Sequence, residues 1–425
     1  ALKCIIPQVS PPDPFFNLPF DHGVPFLYGS VWWAAVVREK GELRQLPKID
    51  KLDGFRELPI TKVDDAVLGA DVPFVDRWWA KQTPSAFGPA NFMADLKKVR
   101  IPALHISGWW DGDGIGTKLN WAAMRKLGRT NQWLIYGPWT HAFNSASRLG
   151  DTDYGPDAIL ELDSLYLRWF DTWLKGKQAG LDKLPRVRIF VTGANKWVDL
   201  DDWPASQSVE RRLYLASDGP ANHRNSFGRL TDQPAPKGQE PDHYTYNPAV
   251  ANIPKGLSAA DAASATTVVN FEPDSQDSLL YKTDPLAEPL VMTGPVDIEL
   301  YVASSAVDTD FYASVLDIDE KGQMRVVGHG GKIRARYHDS FEKPRLLTPG
   351  RTYRLTIAHW DFAHQFAKGH RVGLLIGSDG FPIYARNLGT GEPETTATRM
   401  VAQSNTVYHD ARRPSALKFR TIQLP

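Results

Sequence analysis

Between Ile101 and Gly176 the chain alternates short apolar runs with segments of helical period, and this alternation restricts the fold more than any other feature. Pro102–Ser107 reads as a strand ending at Gly108. Ile115–Leu127 follows as a helix, with Leu119, Ala122, Ala123 and Leu127 at helical spacing. Gln132–Tyr136 is a second strand closed by Gly137-Pro138, and Asp157–Leu174 a long amphipathic helix with its stop at Gly176. Strands separated by helices of this length pair in parallel, so this stretch predicts an α/β sheet. The opening Leu2–Val9 reads as a further buried strand of the same sheet.

On either side the texture changes. Asp21–Lys98 carries helical pieces, Val31–Glu39 and Val75–Lys81, joined by Pro- and Gly-containing links. The pairs Trp32-Trp33 and Trp78-Trp79 cannot both aim at one core from a helix, and the segment is read as a helical cap. After Pro185 short strands dominate, among them Arg186–Thr192, Arg211–Leu215, Val296–Ala303, Phe311–Ile318, Tyr353–Ile357 and Arg371–Ile376, each bounded by turn residues. They predict a β-sandwich, most simply a jelly roll. Thr231–Ala265, rich in Pro, Ala, Ser and Asp, reads as a surface connection. The expected organisation is thus 1–20 with 99–184 as an α/β core, 21–98 as cap and 185–425 as sandwich.

Composition narrows the function classes. The 49 basic and 49 acidic side chains cancel, which argues against a nucleic-acid or membrane-surface binder held by bulk charge. No apolar run is long enough for a membrane helix. The single cysteine, Cys4, lies in an apolar strand and reads as inert core. Eleven of the 14 tryptophans fall in the first 180 residues, so large flat side chains are concentrated around the cap and the α/β part.

Two loops beyond the predicted strand ends carry the candidate chemistry, which is where open α/β sheets place their ligands. They are Gly108-Trp109-Trp110-Asp111-Gly112-Asp113-Gly114 and Gly137-Pro138-Trp139-Thr140-His141. A carboxylate after one strand and an imidazole after the next can form an acid–base pair, the Asp fixing the His tautomer so that the His can deprotonate a hydroxyl. Asp111 and His141 are the expected pair. Asp113 reads as a second acid, a substrate anchor or a solvated side chain. Trp32, Trp33, Trp110 and Trp139 are candidates for substrate contact, with structural packing an equal contender for each. The Asp-Gly-Asp-Gly run is no EF-hand, because Ile115 and Ala122 stand where ligands are needed. Asp308, Asp310, Asp317 and Asp319 read as polar residues at strand ends rather than calcium ligands. No metal or cofactor is called for. A nucleophile is missing: no Gly-x-Ser-x-Gly occurs, Ser378 has the wrong spacing, and Ser10, Ser30 and Ser107 lack the strand-to-helix elbow.

At these loops the chain resembles the cocaine-esterase-like and X-prolyl dipeptidyl-peptidase-like serine hydrolases. The resemblance runs through Gly108–Asp111, Gly137–His141, Val191–Trp197, Asp202-Trp203-Pro204, Ser304–Phe311 and Gly369-His370-Arg371. It implies an α/β-hydrolase core with an inserted helical cap and a C-terminal jelly roll, with Asp111 as triad acid and His141 as triad base. It also implies that the Ser nucleophile and oxyanion hole come from a segment preceding Leu2–Val9, as a second chain or an upstream part of the same one. This chain alone is then expected to be inactive. The α-amino ester hydrolases of the group hold a substrate ammonium with a carboxylate cluster; Asp113 matches one position, but Gly114 follows, so the cluster is partial. The expected function is hydrolysis of a small-molecule ester or amide through an acyl-enzyme. The alternative is a non-catalytic module whose jelly roll binds carbohydrate or a protein partner. A homo-oligomer is compatible with the sequence, and the cytoplasm is the favoured compartment.

Overall fold

The computed structural model describes residues 2–38, 49, 51–141, 143–222, 227–251, 253 and 277–424. Its α/β part is a sheet built on two parallel strands, Ala103–Trp110 and Gln132–Thr140. Side chains alternate between the two faces, as the pleat requires. Leu104, Ile106, Ile135 and Trp139 pack with Leu162, Leu165 and Trp169 of the helix Leu162–Lys175. Trp109, Leu134 and Tyr136 turn to the other face, where Trp121 of the helix Gly114–Lys126 meets them. That helix begins and ends within one residue of its predicted limits. The later helix starts five residues past Asp157, after a short 3-10 turn at Pro156–Ala158, and stops at Gly176 in the left-handed conformation (φ 66°).

Both strands run past their predicted ends. Gly108-Trp109-Trp110 and Gly137–Thr140, expected as loops, are strand residues. Glycine makes this approach feasible: a Cβ on Gly108 would stand 2.1 Å from the Trp139 carbonyl oxygen, and one on Gly137 would meet the Trp139 ring at 2.3 Å.

Leu2–Val9 lies beside Ala103–Trp110 through two parallel bridges, Ile5 with Ala103 and Gln8 with Ile106, rather than as a continuous strand. Leu104 N–H donates to Ile5 O at 3.1 Å, and Ile106 N–H to Pro7 O at 3.1 Å. On the far side, Val187–Val191 pairs in parallel with Gln132–Thr140 and carries Lys196–Leu200 as an antiparallel edge. The strand expected over Arg186–Thr192 as part of the sandwich therefore belongs to the α/β sheet. Its own sequence could not decide this, because Val187, Ile189, Phe190 and Val191 are buried on both faces and give no alternation.

From Val209 onward the described residues form a β-sandwich whose paired strands are antiparallel, except that Gly228–Thr231 runs parallel to Ser278–Lys282 and Ala235 makes a parallel bridge to Asp410. The long strand Leu290–Ser304 organises it, burying Val296, Ile298, Leu300 and Val302, pairing with four other strands along its 15 residues and shifting register against Ala416–Thr421 between Thr293 and Asp297. The stretch expected as a surface connection contains two strands, Gly228–Thr231 (at its edge) and Asp242–Tyr246, while residues 254–265 fall outside the described set. One apolar cluster runs from Trp109 and Tyr136 of the α/β sheet into Ile298 and Leu355 of the sandwich.

The cap contains the helices Leu27–Arg38, Val63–Leu68 and Pro73–Trp79. Its core of Val31, Val63, Val75 and Trp79 is completed by Phe381, Ile383 and Tyr384 of the sandwich. Backbone bonds seal this contact: Tyr28 N–H to Ile383 O at 3.1 Å and Ala385 N–H to Pro25 O at 2.9 Å. No helix among the described residues is long and apolar enough to cross a membrane.

Candidate active site

A one-residue shift between the two parallel strands places the candidate groups. Gly108 pairs with Gly137, but Trp110 pairs with Thr140, so the second strand carries one extra residue between these points. The residues that follow, Asp111 and His141, thereby leave the sheet side by side. His141 Nδ1 lies 3.0 Å from Asp111 Oδ1 and 3.7 Å from Asp113 Oδ2. Asp111 is fully buried, while the His141 side chain is 52% exposed. The imidazole is thus held at one nitrogen by a sealed carboxylate and open to the surroundings elsewhere, which suits a base that must meet a substrate.

Local bonds fix the acid loop. Asp113 N–H donates to Asp111 Oδ1 at 2.9 Å, and Asn17 Nδ2 donates to Gly112 O and Asp113 Oδ1, each at 3.2 Å. Asn17, buried, comes from the segment between Leu2–Val9 and the cap; sequence reasoning missed it, since no local pattern marks an Asn that acts on a loop 95 residues away.

The charges are coupled. The hydrogen bond to Asp111 raises the His141 pKa to about 9, with the charges of Asp111 and Asp113 acting in the same direction and burial opposing them. Burial, followed by the charge of Asp111, raises Asp113 to about 6. Asp113, its side chain a quarter exposed, stands beside the pair as a second carboxylate 3.7 Å from His141 Nδ1. Ligand atoms of Asp111, Asp113 and His141 all lie within 4.8 Å of one another, close enough to hold a cation as well. The bond from Asp111 to Nδ1 favours the acid–base arrangement.

The tryptophans are placed elsewhere. Trp139 is buried, folds back over Gly137 and donates its indole N–H to Ala158 O at 2.7 Å, which gives it a packing role on the face of the helix Leu162–Lys175. Trp110 is buried in the cluster shared with the sandwich. Trp32 and Trp33 stack on each other at 6.0 Å on the cap helix, Trp32 against the cap core and Trp33 exposed. Of the five residues proposed for substrate contact, Asp113 alone touches the Asp111–His141 pair in the described contacts.

Of the other serines and carboxylates weighed above, most are occupied structurally, whereas the buried Ser107 Oγ has no hydrogen-bond partner among the described residues. Ser378 Oγ donates to Asp310 O at 2.6 Å, and Ser10 and Ser30 bond nearby carbonyls. Asp308 and Asp310 are buried ion-pair partners of Arg336 and Arg334, Asp317 bridges His364 and His370, and Asp319 accepts the turn N–H groups of Lys321 and Gln323. Burial raises the Cys4 thiol, in keeping with an inert core residue.

Comparison with known proteins places this geometry. A family model described as the X-Pro dipeptidyl-peptidase C-terminal non-catalytic domain matches residues 179–418, and one described as X-Pro dipeptidyl-peptidase (S15 family) matches residues 1–143. The cocaine esterase of a Rhodococcus species is 32% identical over 301 residues, covering 70% of this chain and 52% of that protein. An aminopeptidase from a marine sediment Thaumarchaeota archaeon superposes with a TM-score of 0.87 at 22% identity, over 100% of this chain and 73% of its own. An α-amino acid ester hydrolase superposes at 0.84 and 24% identity, over 99% and 73%. These two likenesses show the fold: an α/β-hydrolase core with helical cap and C-terminal β-sandwich. The chain spans about half the length of the curated relatives it matches. With a C-terminal family model spanning more than half of its residues, the chain belongs to the X-prolyl dipeptidyl-peptidase and cocaine-esterase-like family of serine hydrolases.

Proposed function

We propose that this chain supplies the base and its supporting acid to an enzyme that cleaves an ester or amide through a serine acyl-enzyme. The observation that carries the reading is the 3.0 Å contact between His141 Nδ1 and the sealed Asp111 carboxylate, with the rest of the ring accessible. In this reading His141 Nε2 takes the serine hydroxyl proton as the serine oxygen bonds to the substrate carbonyl carbon. The imidazolium then gives that proton to the departing alcohol or amine as the carbonyl–leaving-group bond breaks. Water, deprotonated by the same nitrogen, attacks the acyl-enzyme and returns the serine. Asp111 keeps its charge throughout, holding Nδ1–H and stabilising the imidazolium.

The serine and the oxyanion donors come, in this proposal, from a segment preceding Leu2–Val9. Two apolar surfaces support it, one at that edge and one on the helix Leu162–Lys175. An apolar groove of about 220 Å³ opens at the edge, lined by Ile5, Pro7, Phe92, Leu96 and Met124 among others. On the helix Leu162–Lys175, Leu167 and Leu174 are 70% and 59% exposed, a stripe of apolar surface of the kind that a packed partner covers. No described contact favours the alternative of a sandwich that binds carbohydrate or a protein.

The test is to supply the serine-bearing segment and treat the protein with a fluorophosphonate. A covalent serine adduct and ester turnover are expected, with turnover falling by several orders of magnitude in His141→Ala. Near-full esterase activity in that variant refutes the role given to His141.

A further inference from the structure

The contact between Asp111 and His141 depends on where the acid loop is held, and the hold comes from outside the sheet. We infer that Asn17 is a positioning residue for the reaction, and that the strap of residues 10–17 fixes the acid loop so that Asp111 and Asp113 both face His141 Nδ1. The inference rests on the hydrolase reading above and adds to it a residue that acts through the loop.

Three observations carry it. The first is the division of the Asp113 carboxylate. Asn17 Nδ2 donates to Gly112 O and to Asp113 Oδ1, each at 3.2 Å, which leaves Asp113 Oδ2 3.7 Å from His141 Nδ1. Two oxygens at one end of the amide identify that end as the NH2 group, since an amide oxygen there would oppose their lone pairs. Asn17 is 1% exposed and its Oδ1 has no partner among the described residues, so its side chain is spent on these two bonds.

The second is the anchoring of the strap. Ser10 O accepts from Asn120 Nδ2 at 2.7 Å, and Pro12 O from Phe92 N–H at 2.7 Å. Pro11 lies so near the first turn of the helix Gly114–Lys126 that a Cβ on Gly116 would stand 2.5 Å from its Cα. Asn17 N–H donates to Asp13 O at 3.0 Å and Phe15 N–H to Asp13 Oδ1 at 2.9 Å, closing the turn that carries Asn17. Because that helix begins directly after Asp113, strap, acid loop and helix start are joined at both ends.

The third is strain. Val9 at φ 42° and Leu18 at φ 47° bracket the strap in the left-handed region, which L side chains disfavour and a β-branched one most of all. Such conformations persist where the surroundings over-determine them, and they gather beside functional sites. The segment between these two residues delivers Asn17 to the acid loop. Asp111 must keep its bond to Nδ1 while Nε2 takes and returns a proton, so a loop held this way serves the chemistry directly.

The experiment compares Asn17→Ala and Asn17→Ser with the parent. In this chain alone, the low-field proton resonance of His141 Nδ1–H, assigned by its loss in His141→Ala, reports the bond to Asp111. It is expected to move upfield or exchange away in Asn17→Ala, and to change less in Asn17→Ser, which retains a hydroxyl donor. In the full protein, with its serine-bearing segment present, kcat for an acetyl ester should fall about tenfold to a hundredfold in Asn17→Ala while KM stays within about threefold, the scale of loss for a catalytic group misplaced by about 1 Å. A residue that only packs would lower the urea midpoint and leave the resonance and the kcat of the folded protein unchanged. That result in both variants, or a loss confined to KM, overturns the inference. Should Asn17→Ala fail to fold, an unchanged resonance and kcat in Asn17→Ser overturn it alone. A parent protein that forms no fluorophosphonate adduct and turns over no ester defeats the hydrolase reading instead, while the Nδ1–H comparison, which needs no nucleophile, still decides whether Asn17 places the loop.

Discussion

Asp113 should set the pH at which His141 becomes a base, and replacing it by Asn isolates that effect. Asp113 Oδ2 lies 3.7 Å from His141 Nδ1. Coulomb's law gives about 1 kcal/mol for such a pair at the dielectric of water and about 4 to 5 kcal/mol at an effective value of 20. The His141 ring is half exposed, so the interaction belongs near the aqueous limit. At about 1.4 kcal/mol per pH unit, loss of this charge lowers the His141 midpoint by roughly one unit. The sign is fixed: a neighbouring carboxylate stabilises the imidazolium, so the parent ring is protonated up to about pH 9 and Asp113→Asn frees it earlier. Asp113 itself ionises near pH 6, so its influence is present throughout the range in which His141 titrates. The assay is an NMR titration of the His141 Cε1 proton in this chain, which needs no nucleophile. Asp111→Asn should lower the midpoint further, because the hydrogen bond to Asp111 is the larger cause of the shift. An Asp113→Asn midpoint equal to or above the parent value refutes the coupling.

Other perturbations test the packing assignments. Trp139→Ala should cost about 3 to 5 kcal/mol in urea unfolding, as a buried Trp does, while leaving KM for an ester unchanged in the folded protein; a raised KM would restore Trp139 as a substrate contact. Lys332→Met should cost about 3 to 5 kcal/mol by leaving the Asp21 carboxylate buried without its partner, and adding Asp21→Asn should recover most of it; a single variant as stable as the parent rules out the ion pair. His359, buried with Nδ1 2.7 Å from Trp360 O, is held neutral by burial down to about pH 3. Its unfolded form takes up a proton below about pH 6.5, so stability present above that pH is lost as pH falls, about 2 kcal/mol between pH 7 and 5. His359→Asn should flatten that part of the urea midpoint-against-pH curve, and an unaltered slope would locate the acid sensitivity elsewhere.

The sandwich is packed against the cap and the segment that precedes it. Phe381, Ile383 and Tyr384 complete the core of the cap, Lys332 fixes Asp21, and Phe341 stands against Phe16. These contacts join segments more than 300 residues apart, and none has a local signature. For the tryptophans the sequence left substrate contact and packing equally open; the direction of Trp139 depends on Gly137 leaving room for its ring and on Ala158 O receiving its N–H.

What the sequence determined by itself was the order of strands and helices from Ile101 to Gly176 and the identity of the two residues, Asp111 and His141, that follow the strands. Both are local properties, written in apolar periodicity and in the Gly-rich motifs at the strand ends. That these residues meet was decided by the tertiary structure, through the extra residue between Gly137 and Thr140 that shifts the pairing by one position. Regular pairing would set Asp111 opposite Thr140. In a pleated sheet a one-residue slip sends every following side chain to the other face, and nothing within either strand records the register of its neighbour.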